Sequence, residues 1–137
     1  AEVASLQYFL YFVNAAEWKE GLPVVRRLIR DRKAVGVNLR ATAVAVLGKV
    51  GGKEVAGELA KLWEDETPLA AGVDPFRLGD QALAVSMLLA GDSLKGSGLR
   101  PTVIALKGPG QFWTATIYQF ASDADRKAAL KKWKAKK

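Results

Sequence analysis

The chain of 137 residues contains no cysteine and no histidine. Without cysteine there is no disulfide, no zinc–thiolate site and no thiol nucleophile. Without histidine the usual general base near neutral pH and the commonest metal ligand are missing. Ser-His-Asp catalysis, HExxH zinc sites and haem ligation through histidine are therefore excluded. Long apolar runs are absent too. The longest, Tyr8 to Val13, falls far short of the roughly 20 residues that cross a bilayer. No basic segment precedes it, so no signal peptide is read and localisation stays open. The chain begins at Ala1, which is expected of a processed piece or a fragment of a larger chain.

Half of the residues are hydrophobic and 26% are charged, a balance that suits one folded domain over residues 1–137 and excludes a disordered or collagenous chain. All five prolines fall between apolar-periodic stretches, and most glycines mark further breaks. Between the breaks the period is helical. A first helix is expected over about Glu2–Ala16 and a second from near Pro23, with Val25, Leu28 and Ile29 on one face. A third carries Leu39, Ala43, Val46, Leu47 and Val50 as a core stripe, and a fourth Val55, Leu59, Leu62 and Trp63. Asp74-Pro75 reads as a cap and first-turn proline for a fifth helix ending at Gly91. Leu94–Lys107 is weakly periodic and reads as loop plus a short helix, and Gln111–Phe120 as another helix. Ser122 with Asp125 resembles a capping box for a last helix over about Asp123–Lys134. The expectation is an all-α chain of seven or eight helices without a sheet.

Residues Leu39–Gly52 repeat at Leu78–Gly91, with identities at Leu39/Leu78, Ala43/Ala82, Ala45/Ala84, Val46/Val85 and Gly52/Gly91. An offset near 40 residues is the spacing of HEAT-type solenoids. The stretch from Asn38 through the Gly51-Gly52 turn to Leu62-Trp63 resembles a bacterial HEAT repeat of the phycobilisome-lyase type. The resemblance implies a short α-solenoid, a right-handed superhelix of antiparallel helix pairs, with its clearest repeats at 37–66 and 75–107. It brings no lyase activity, because no lyase-specific residues are recognisable.

The formal net charge is +7, and it is segregated. Residues 21–53 carry eight basic residues and one acid, residues 54–92 two basic residues and eight acids, and residues 126–137 seven basic residues and no acid. Arg26, Arg30 and Lys33, with Arg27 beside them, form a stripe on the second helix. Lys127, Lys131 and Lys134 repeat the spacing on the last. Such stripes are either solvated faces or an anion-binding surface for nucleic acid, acidic protein or anionic lipid. The acidic middle argues against a continuous phosphate track.

Catalytic devices are scarce. Glu64-Asp65-Glu66 point about 100° apart on a helix and do not converge on a metal. Asp80 sits inside an apolar helix and is expected to make a structural hydrogen bond. Gly96-Ser97-Gly98 and Gly108-Pro109-Gly110 lack the phosphate-loop pattern. No catalytic residue, metal or cofactor is expected. Tyr8, Phe9, Tyr11 and Phe12 exceed what one amphipathic face needs, so a partner, a neighbouring repeat or a second copy is expected to cover the first helix. The resulting expectation is a non-catalytic protein-interaction scaffold with Arg26, Arg27, Arg30, Lys33, Tyr8 and Phe12 as contacts. The alternative is a nucleic-acid-binding module using its basic helix faces.

Overall fold

A computed structural model describes residues 2–31, 37–64 and 77–136. In chain order the elements are α1 (Glu2–Ala16), α2 (Leu22–Arg30), α3 (Val37–Gly51), α4 (Ala56–Leu62), α5 (Leu78–Leu89), β1 (Leu99–Gly108), β2 (Gln111–Phe120) and α6 (Asp123–Ala135), with single 3-10 turns at Lys19–Gly21 and Gly52–Val55. Helices and a hairpin share one hydrophobic core.

Two helices form the centre. α3 meets α1, α2, α5 and β2, and α5 meets α3, α4 and β2. A helix covered on several sides is apolar all round rather than on one stripe. Accordingly Leu39–Val44, Val46–Gly48 and Val50 of α3 are buried, as is every residue of α5 from Leu78 to Ser86. Small residues bring the two helices close. A Cβ at Gly48 would overlap the Val85 side chain. The likeness between Leu39–Gly52 and Leu78–Gly91 therefore has a local cause: both segments are enclosed helices of one core, pressed against each other.

The helix ends carry their own stops. α1 closes with Glu17 at φ 49° and a bond from the Trp18 N–H to the Val13 carbonyl. α5 closes with Gly91 at φ 81°, where the Gly91 N–H meets the Leu88 carbonyl and the Asp92 N–H meets the Met87 carbonyl. This is the paired pattern of a Schellman end. The buried Arg40 of α3 donates from Nε and Nη2 to the Ile29 carbonyl at 2.9 and 2.6 Å. It thereby supplies positive charge at the carbonyl end of α2. Ser122 Oγ accepts the Asp125 N–H at 3.1 Å at the start of α6, as its spacing predicts. Trp133 of α6 is buried edge-on to Trp63, whose Nε1 donates to Ser86 Oγ. The proposed Asp74-Pro75 cap lies outside the described residues.

The expectation of an all-α solenoid is wrong. Residues 99–108 and 111–120, read as loop with a short helix and as a helix, pair as an antiparallel hairpin from Leu99↔Phe120 to Gly108↔Gln111. The segment that was to complete the 75–107 repeat is a strand, so no superhelix of helix pairs forms. The physical reason lies in side-chain shape. Thr102, Val103, Ile104, Thr114, Thr116 and Ile117 are β-branched, and Phe112, Trp113, Tyr118 and Phe120 are aromatic, all types that favour a pleated half-buried surface. Ile104, Leu106, Trp113, Ala115 and Ile117 share the face that joins the core. Pro109 and Gly110 occupy the two-residue turn. Proline sets the first φ, and Gly110 takes φ 80°, the pairing of a type II turn.

Gly48 and Gly57 of the helical frame have opposite surroundings. Gly48→Ala should destabilise by about 1–3 kcal/mol through the overlap with Val85. Gly57→Ala, in α4 with open space at its Cβ position, should stabilise by about 0.5–1 kcal/mol. Urea unfolding midpoints of the two variants check both signs.

Candidate functional site: the hairpin and its two edges

A two-stranded hairpin has two outer edges, each with backbone groups that its own pairing leaves unused. Here the edges are treated differently. Asp80 and Gln81 are buried neighbours in α5, and both reach β2. Gln81 Oε1 accepts the Tyr118 N–H at 2.8 Å, while its Nε2 donates to the Thr116 carbonyl at 3.2 Å and to the Ala41 carbonyl of α3 at 3.0 Å. Asp80 Oδ2 accepts the Phe120 N–H at 3.1 Å. One dipeptide thus covers the outer edge of β2 from Thr116 to Phe120 and ties it to two helices.

The charge of Asp80 is met from α6. Arg126 grips the carboxylate with Nε at 2.7 Å and Nη2 at 2.9 Å, and its Nη1 donates to Asp123 at 2.9 Å. Hydrogen bonding to Asp80 raises the Arg126 pKa above its usual value, against the opposing effect of burial. A forked guanidinium matches two carboxylate oxygens at once. Asp80 therefore has the structural role expected of it, with partners on β2 and α6.

The edge of β1 is different. Because Tyr118 and Phe120 point their N–H groups away from β1, their opposite numbers Pro101 and Leu99 point outward as well, and so do Val103, Ala105 and Lys107. Lys107 is covered, since its N–H donates to Gln7 Oε1 of α1 at 2.6 Å and its carbonyl accepts Trp113 Nε1 at 3.1 Å. Pro101 has no N–H to offer. Val103 and Ala105 present N–H and C=O groups with no partner among the described residues. Arg100 to Val103 and Ala105 are exposed. The outer face beside this edge carries Val103, 67% exposed, and Phe112, 61% exposed. From Leu99 to Phe120 the charged residues are Arg100 and Lys107, with no acid.

The residues singled out by sequence are scattered. Arg26 is held by Glu58 through two bonds of 2.8 Å, so it belongs to an ion pair linking α2 to α4. Arg27 and Arg30 are exposed, and Arg30 with Lys61 borders the same Glu58. Lys33 lies outside the described residues, as do Asp65 and Glu66. On α1, Tyr8 is 39% and Phe12 54% exposed, whereas Phe9 and Tyr11 are half-buried with edge contacts to Trp18 and Trp113. Of the C-terminal stripe, Lys127 pairs with Asp123 and Lys134 with Glu64.

Gln7, Gln81 and the β1 edge were not anticipated from sequence. A polar pair, Asp80-Gln81, inside an apolar helix was the available signal for the seal. Asp92, Lys95, Asp125, Lys132, Lys136 and Trp133 line a cleft of about 410 Å³ between α6 and the turn after α5. Its charges are mixed, and Lys136 is already paired with Asp92. Ser97 beside it is engaged by the Leu94 carbonyl and the Leu99 N–H. No described helix is long and apolar enough to cross a membrane. Compared with family models, curated proteins and solved structures, the chain matches none.

Two consequences are measurable. Arg126→Leu leaves the Asp80 carboxylate buried without its counter-ion and should destabilise by about 3–5 kcal/mol. Adding Asp80→Asn should recover part of that loss, so a double-mutant cycle by chemical denaturation should be strongly non-additive. The second concerns pH. Hydrogen bonding from Arg26, then its charge with those of Lys61 and Arg30, holds the Glu58 carboxyl below the usual carboxylate range. A depressed folded value means the pair stabilises fully at neutral pH and loses its effect as pH falls through that value. Glu58 is partly exposed, so Glu58→Gln should lower stability at pH 7 by only about 0.5 kcal/mol. The difference from the parent should close in strong acid, as measured by thermal unfolding across the acid range.

Proposed function

We propose that the chain is a non-catalytic protein-interaction module, in which a helical frame presents a β-hairpin to a polypeptide partner. The carrying observation is the asymmetry of the two edges. Two buried side chains cover Thr116 to Phe120 of β2, while Val103 and Ala105 of β1 offer backbone groups with no partner among the described residues, beside exposed Val103 and Phe112. Strand addition to such an edge is a recurrent mode of peptide recognition, with main-chain bonds supplying affinity.

The distribution of charge favours this reading over a nucleic-acid module. Each acid of the 54–92 segment that meets a described base meets one distant in sequence: Glu54 with Lys19, Glu58 with Arg26, Glu64 with Lys134, Asp80 with Arg126 and Asp92 with Lys136. These pairings engage Arg26 and Lys134, one member of each basic stripe that a phosphate backbone would follow. Arg27, Tyr8 and Phe12 are secondary contact candidates.

The test compares tagged parent protein, an edge variant Val103→Pro and a helix variant Arg27→Glu/Arg30→Glu, each matched for fold by circular dichroism and incubated with extract from the source cells. The expected result is one polypeptide recovered by the parent and the helix variant, resistant to nuclease and lost with the edge variant. Recovery that disappears on nuclease treatment, or only with the helix variant, would overturn the proposal in favour of nucleic acid.

A further inference from the structure

Resting on the interaction-module reading, we infer that the occupant of the β1 edge is an extended acidic segment of another protein, paired antiparallel to β1, and not a second copy of this chain. The backbone defines the register. A residue of the incoming strand opposite Val103 exchanges two hydrogen bonds with it, and the residue two before it exchanges two with Ala105. Beyond Val103, Pro101 accepts one bond through its carbonyl and gives none. At the other end Gln7 already occupies the Lys107 N–H, so the added strand leaves the edge there.

Charge selects the chemistry. Arg100 and Lys107 bracket the free positions seven residues apart, and no acid lies between Leu99 and Phe120 to neutralise them. An incoming strand with a carboxylate at each end meets both. Between them, β-branched residues opposite Val103 and Ala105 continue the exposed face shared with Phe112. Opposite charges placed across a strand pair stabilise it, and like charges destabilise it. A second copy brings no carboxylate to either cation. In the antiparallel registers that engage both Val103 and Ala105, Arg100 of one copy falls opposite Leu106 or Gly108 of the other, and Lys107 opposite Leu99 or Pro101. The same two cations and Pro101 therefore act as guards against self-pairing.

The experiment uses the full chain, labelled with nitrogen-15, and three probes at millimolar concentration. They are the end-blocked octapeptide ETVTVTTE, its charge-reversed partner KTVTVTTK and a short oligothymidylate. The acidic peptide should shift the Val103 and Ala105 amide signals saturably and slow their exchange with solvent. The basic peptide should bind about tenfold more weakly. In the variant Arg100→Glu/Lys107→Glu, whose exposed side chains leave the hairpin bonds untouched, the preference should reverse. Equal binding of both peptides at these amides overturns the acidic partner while leaving the edge as a docking site. Absence of any shift at Val103 and Ala105 overturns both the inference and the reading beneath it. Tighter engagement of the same amides by oligothymidylate overturns it in favour of nucleic acid, and a dimer through β1 in light scattering overturns it in favour of self-association.

Discussion

The contact on which the rest of the molecule depends is the docking of β2 onto Asp80 and Gln81. An isolated two-stranded hairpin is barely stable in water. Apolar burial alone would hold it loosely, because a flat strand can slide on a helix without losing much contact. Hydrogen bonds from two adjacent side chains to three consecutive outward-facing positions, Thr116, Tyr118 and Phe120, remove that freedom. Since α5 is enclosed from Leu78 to Ser86, the two side chains have little freedom themselves. The bonds thereby fix the register and the face with which the hairpin meets α5.

The charge pattern of the chain becomes intelligible in three dimensions. Taken along the sequence, basic and acidic blocks alternate as if separate functions had been strung together. In the fold five acids of the central segment meet bases from both flanking parts of the chain. Most of these pairs are exposed and individually weak. Asp80 with Arg126 is the exception, being 1% and 14% exposed, and it is the pair that joins α5 to α6. Arg100 and Lys107, which meet no acid among the described residues, stand out by contrast.

The helical part of the fold was legible in the sequence, and the hairpin was not. The first helix runs from Glu2 to Ala16 as its periodicity predicts, Gly91 takes the left-handed stop, and the Ser122 cap is in place. These signals are local, so the residues that carry them also satisfy them. Thr102 to Leu106 forms an unbroken run in which a period of two is hidden, because the outward Val103 and Ala105 are as apolar as the inward Ile104 and Leu106. The readable clue was Pro109-Gly110 between two stretches rich in β-branched and aromatic residues, treated as a simple break. Asp80 was recognised as structural, but its partners lie 40 and 46 residues away, in two segments each read as a separate helix. The open edge had no signature of its own, since it consists of backbone groups that every residue but proline carries.

The hydrogen bond between Gln7 and the Lys107 N–H joins residues one hundred positions apart. Closing a flexible loop of that length opposes the contact by about 4 kcal/mol of chain entropy, more than one hydrogen bond returns. That contact cannot nucleate anything. α1 must first settle on α3, through the enclosed Leu10 and Val13, at a much shorter loop length. The order of assembly is then constrained: α1 gathers on α3, the hairpin docks on α5, and Gln7 meets Lys107 last. Until Gln7 arrives, the β1 edge is bare as far as Lys107, and Pro101 and Lys107 protect it then as well as in the finished molecule.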